Sequence, residues 1–60
     1  MSLVTELFGM DVLNKSLDEL KELIKAMPPA QRERRSYLLK DFARIKNIEL
    51  TQQDFADVNA

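Results

Sequence analysis

Arg32-Glu33-Arg34-Arg35 is the run with the strongest chemical character in this chain, and Lys40 and Arg44 continue it. A guanidinium presents a planar fork of donors that matches phosphates and carboxylates in two-point contact. Such a run can hold a nucleic-acid backbone, an acidic protein surface or carboxylates of its own chain. A nucleic-acid binder gathers its basic groups on one face. On a helix turning about 100° per residue, Arg32 and Arg35 flank one side and Arg34 lies near the apolar stripe. Lys40 and Arg44 lie roughly opposite that stripe. The cations make a belt more than a face. That dispersion favours solvated charges or intersubunit ion pairs first, an acidic protein partner next and nucleic acid last.

Other chemistry is sparse. Nucleophilic catalysis needs a hydroxyl or thiol beside a general base. The chain has neither His nor Cys. Ser16 and Thr51 are therefore read as helix caps, and Ser2 as a terminal cap. Asp18, Glu19 and Glu22 fall on the polar side of a helix, where water holds them ionised. Asp54 and Asp57 are one turn apart, but calcium takes roughly six or more oxygens and no such loop is present. A single glycine excludes a glycine-rich phosphate loop. The residues propose no catalytic group, no metal site and no cofactor. The expectation is a protein that is not an enzyme.

The net charge of −1 hides a pattern. Residues 1–26 carry −2, residues 27–48 carry +4 and residues 49–60 carry −3. A basic centre between acidic flanks can neutralise itself within one chain or between two. Length sets a second limit. Sixty residues make at most one domain, expected over 1–60. Ordering a residue costs roughly 1.5 kcal/mol, and burial in so short a chain returns about the same. Without disulfides or metal, a small fold is expected to lean on a second copy of itself or on another protein. No apolar run approaches the roughly 20 residues that span a bilayer. The apolar start carries Glu6 and Asp11 and no basic cluster, unlike a signal peptide. The expected compartment is the cytoplasm, with no membrane partner.

The elements that position these groups are helical. Pro28-Pro29 separates two patterns that would otherwise run together, since proline ends one helix and suits the first turn of the next. Before it, Ser16-Leu17-Asp18-Glu19 has the capping-box form. Leu17, Leu20, Leu23, Ile24 and Met27 then make one apolar stripe, with Lys21 and Lys25 outward. After it, a helix over about 29–47 presents Tyr37, Leu38, Leu39, Phe42, Ala43 and Ile45, and Asn47 is a fitting stop. Its polar first turns are expected to project past the core or to lie against an acidic neighbour. A short helix over 2–8 ends at Gly9, and a last one follows Thr51 with Asp54 close to the capping pattern. The fold expected is all-α: an antiparallel helical hairpin of 16–27 and 29–47, completed by short terminal helices into a three- to four-helix mini-bundle. Its core is Leu20, Leu23, Ile24 and Met27 against Leu38, Leu39, Phe42 and Ile45.

Two resemblances, one short and one longer, accompany this reading. Leu50-Thr51-Gln52-Gln53-Asp54-Phe55-Ala56 resembles the opening of the second helix in repressor-type helix-turn-helix domains, where the following helix reads the major groove. It covers seven residues and not that following helix. Residues 17–58 resemble the small helical C-terminal domain of the light-independent protochlorophyllide reductase catalytic subunit, through Pro28, Arg32, Ala43 and Leu50-Thr51. The aromatic residue expected near the start of that domain is missing here. This second likeness implies a fold and no function.

The function expected is a non-enzymatic protein–protein interaction module: a small adaptor, inhibitor or assembly protein. Leu3, Leu7, Phe8 and Phe55 are its expected apolar anchors, since buried aromatics carry much interface energy. Arg32, Arg34, Arg35, Lys40 and Arg44 are its expected contacts to an anion or an acidic partner. The alternative is a small DNA- or RNA-associated regulator that places the same cations on phosphates.

Overall fold

The double proline divides the molecule as proline geometry requires. Pro28 sits at φ −57°, ψ 145°, an extended conformation no helix can pass through. Pro29–Gln31 then forms a single 3-10 turn, closed by the Gln31 amide on the Pro28 carbonyl at 2.9 Å. This computed structural model describes residues 2–59. They form four α-helices: α1 (Leu3–Phe8), α2 (Leu17–Lys25), α3 (Arg32–Lys46) and α4 (Gln52–Asn59). A second 3-10 segment, Met10–Asn14, joins α1 to the connection before α2.

Five of the helix ends fall where local chemistry provides partners for free backbone groups. Ser2 accepts the Thr5 amide at the head of α1. Gly9 ends α1 at φ 87°, ψ 165°, a region essentially restricted to glycine. Ser16 and Glu19 cap α2 reciprocally, each side chain taking the other's amide at 3.2 Å. Asn47 leaves α3 in the left-handed conformation (φ 58°, ψ 48°), and the Ile48 amide closes back on the Ala43 carbonyl at 2.8 Å. Thr51 and Asp54 repeat the reciprocal cap at α4: the Thr51 amide donates to Asp54 Oδ2 at 2.9 Å, and the Asp54 amide to Thr51 Oγ1 at 3.3 Å.

α3 is the centre of the bundle. α1 packs on one side of it, while α2 and α4 pack on the other and against each other. Val4, Val12, Leu20, Ile24, Leu38, Leu39, Phe42 and Val58 are fully buried and form one core. Leu17, Leu23 and Met27 of the α2 stripe are only half-buried around it. The bundle measures 25 × 22 × 17 Å, about two helix diameters across its shortest axis. Side chains fill that thickness, so any site lies on the surface. No helix among the described residues is long and apolar enough to cross a membrane.

Two expectations about helix faces require correction. Ile45 was placed in the core but is 41 % exposed. It lies in the last turn of α3, at the edge of a surface groove with Met10 and Leu13, where no other element covers it. Lys21 was placed outward but is buried. α4 packs against its side of α2 and offers two carboxylates to its ammonium.

Candidate functional site

The cations of α3 divide into those the fold consumes and those it leaves free. Arg35 is consumed. It is only 6 % exposed. Its Nη2 donates to the carbonyls of Lys25, at 3.1 Å, and Met27, and Nη1 donates to the Val58 carbonyl at 3.4 Å. Those carbonyls stand at the C-terminal ends of α2 and α4, where the helix dipoles are negative. One guanidinium therefore caps two helices. This corrects the expectation that Arg35 serves an anion or an acidic partner. Helical projection put it with Arg32 on one flank of the helix, and α2 and α4 close over Arg35.

Arg44 is held but not hidden. Its Nη2 donates to Asp41 Oδ1 at 2.7 Å, while its side chain remains 76 % exposed. Asp41 is buried, and its second oxygen accepts the Val4 amide at 3.1 Å, tying α1 to α3. Burial pushes the Asp41 carboxyl up. The Val4 amide and Arg44, with Ser2 adding, outweigh that and hold it below the ordinary aspartate value. Asp41 is a charged residue on the inner half of α3, and the sequence reading passed over it.

Arg32, Arg34 and Lys40 are exposed and have no carboxylate within ion-pair distance among the described residues. Lys40 stands over the Phe55 ring, 5.8 Å from its centroid. The acids of α4 are engaged elsewhere. Asp54 and Asp57 both take Lys21, at 2.6 and 3.0 Å, instead of lying on a solvated face. The hydrogen bond from Lys21 and the one from Thr51 hold the Asp54 carboxyl low, and Gln53 and Lys21 do the same for Asp57.

The apolar anchors divide in a similar way. Leu3, Phe8 and Phe55 are half-buried and packed against the core, so only part of each is offered to a partner. A core this small recruits every aromatic it can reach. Leu7 stays exposed at 44 %, on the outer side of α1. Three further large apolar residues are exposed: Met10 at 68 %, Tyr37 at 59 % and Ile45 at 41 %.

These residues share one band of surface. A groove lined by Leu3, Glu33, Arg34 and Tyr37 adjoins one lined by Tyr37, Lys40, Asp41 and Arg44. A third, lined by Met10, Leu13, Arg44 and Ile45 with Ser2 and Thr5, continues from it. Tyr37 and Arg44 each belong to two of the three grooves, so the band runs unbroken along the outer side of α3 and around the start of α1. Tyr37, Lys40 and Arg44 follow at spacings of three and four, the repeat of one helix face, so this part was legible in the sequence. Met10 and Ile45 were not, because their exposure depends on how α1 and α3 are placed. Ser16 and Thr51 are engaged as caps, as their positions suggested.

No protein-family model, no curated protein and no solved structure matches the chain. The two resemblances in the sequence therefore bring no family assignment with them.

Proposed function

We propose that this protein is a non-enzymatic protein–protein interaction module of the cytoplasm, a small adaptor, inhibitor or assembly protein, whose working surface is the band on α3 and α1. One observation carries the reading. Three of the four exposed large apolar residues among the described residues, Met10, Tyr37 and Ile45, lie in one band beside Arg34, Lys40 and Arg44. Exposed apolar groups rimmed by charge mark interaction sites. The engagement of Ser16 and Thr51 in caps, and of Asp54 and Asp57 with Lys21, supports a role without catalysis.

The test is a photo-crosslinking aromatic amino acid in place of Tyr37, and a matched one in place of Glu22 on the exposed side of α2, in cells producing the protein. The reading expects discrete protein adducts from position 37 and none from position 22. No adduct, or equal adducts from both positions, rejects it.

A second reading has one observation in its favour. Arg32, Arg34 and Lys40 lack carboxylate partners among the described residues, as cations meant for phosphates would. Against it, Arg35 is withdrawn from the belt, and Glu33 and Asp41 interrupt what remains. Binding to nucleic acid would weaken steeply with salt, and binding through the apolar band would not.

A further inference from the structure

The chemistry of the band constrains its occupant. Its apolar positions need a partner with large apolar side chains, because a polyanion offers nothing to Met10 and Ile45. Its charged rim is Arg34, Lys40 and Arg44 against Glu33 and Asp41. Asp41 and Arg44 form a neutral pair, and Arg34 and Lys40 against Glu33 leave the rim positive. Arg44 is pre-oriented by its bond to Asp41, with the rest of its fork turned to solvent. That geometry suits a carboxylate at a defined position. Glu33 breaks the row of cations, which penalises an evenly charged phosphodiester strand but allows separate carboxylates to find their register. The positive rim also disfavours a second copy of the same band, since a twofold contact sets like charge against like.

We infer that the band receives an acidic amphipathic segment of another protein, with its apolar side chains on Tyr37 and Ile45 and its carboxylates on Arg34 and Arg44. This rests on the interaction-module reading and narrows it to one class of partner.

An unbiased selection tests it. A library of random peptides displayed on phage is panned against the immobilised full chain, and enriched peptides are measured by fluorescence anisotropy. The expected consensus combines Asp or Glu with bulky apolar residues. Affinity should fall about tenfold in the exposed variants Arg34→Glu and Tyr37→Ala, as expected for loss of a charge-assisted or aromatic contact. Circular dichroism confirms that both variants remain folded. Affinity should fall only a few-fold between about 50 and 200 mM salt, as expected for a small number of partly screened contacts. A basic consensus, no consensus, or peptides indifferent to both substitutions overturns the inference. So does an oligothymidine strand of about 12 nucleotides that displaces the peptides, or a dimer in sedimentation that excludes them. If the selection fails while crosslinking from position 37 still yields protein adducts, only the acidic character of the partner is wrong. If the crosslinking also fails, the module reading falls with it.

Discussion

Lys21 and Asp54 are 33 residues apart in sequence, and their charged atoms stand 2.6 Å apart in the fold. The contact ties α2 to α4. Asp54 Oδ1 takes the Lys21 ammonium, while Oδ2 takes the Thr51 amide that begins α4. One carboxylate therefore both starts the last helix and fastens it. Asp57 completes the clamp at 3.0 Å. Arg35 secures the other end of the same helix through the Val58 carbonyl. The two contacts hold α4 across its length, and Val58 lies fully buried between them and the core.

Acid should loosen α4 first. Asp41, Asp54 and Asp57 are all held below the ordinary aspartate value of 3.8. A group whose folded pKa is depressed adds stability in full above its unfolded value, and loses it as pH falls through the folded one. Stability should be level near neutrality and should drop below about pH 4, the unfolded aspartate range. Lys21 is raised above 10.5, so its share is complete below that value and is lost as pH rises through the folded one. Amide exchange across a pH series should show α4 opening before α2 and α3 in acid. Simultaneous opening of all the helices would contradict the clamp.

Arg35→Met should be among the most damaging changes on α3. It keeps the aliphatic stem but leaves the carbonyls of Lys25, Met27 and Val58 without their shared donor. Unpaired buried groups cost about 1–3 kcal/mol each, and water reaching the loosened ends recovers part of that. A net loss of about 3 kcal/mol is expected in urea melts. Arg34→Met, one residue earlier and exposed, should stay within about 0.5 kcal/mol of the parent.

Gly9→Ala isolates a backbone effect. An added Cβ would meet nothing within 4 Å, so sterics with neighbours play no part. The glycine conformation at φ 87°, ψ 165° should alone cost about 2 kcal/mol. Asn47→Gly is the converse. It places glycine in the left-handed cap of α3 and should leave stability unchanged or slightly raised, read as a thermal midpoint.

Phe42→Ala and Tyr37→Ser separate core from surface on one helix. Phe42 is fully buried, and its truncation should cost about 4 kcal/mol, enough to unfold so small a protein. Tyr37 is more than half exposed and should tolerate the change within about 0.5 kcal/mol, even as it weakens peptide binding about tenfold. A large loss of stability at Tyr37 would mean that it packs against something essential in the monomer.

The local rules of the chain were enough for its helices. The proline pair, the Ser16–Glu19 and Thr51–Asp54 caps, Gly9 and Asn47 each act within a few residues, so their signals are written in sequence order. The all-α class and the apolar centre around Leu20, Ile24, Leu38, Leu39 and Phe42 follow from the same short-range periodicity. What was not legible was the destination of the long polar side chains. Arg35 looked like one more member of a basic belt until two helix ends closed on it. Lys21 looked solvated until α4 brought its acids alongside. Those outcomes depend on how helices pack at separations of tens of residues, and periodicity within one helix carries no information about which neighbour arrives. The surface band inherits the same limit. The order of Tyr37, Lys40 and Arg44 on one face is a property of the sequence, whereas the exposure of Met10 and Ile45 beside them was decided by where α1 came to rest on α3.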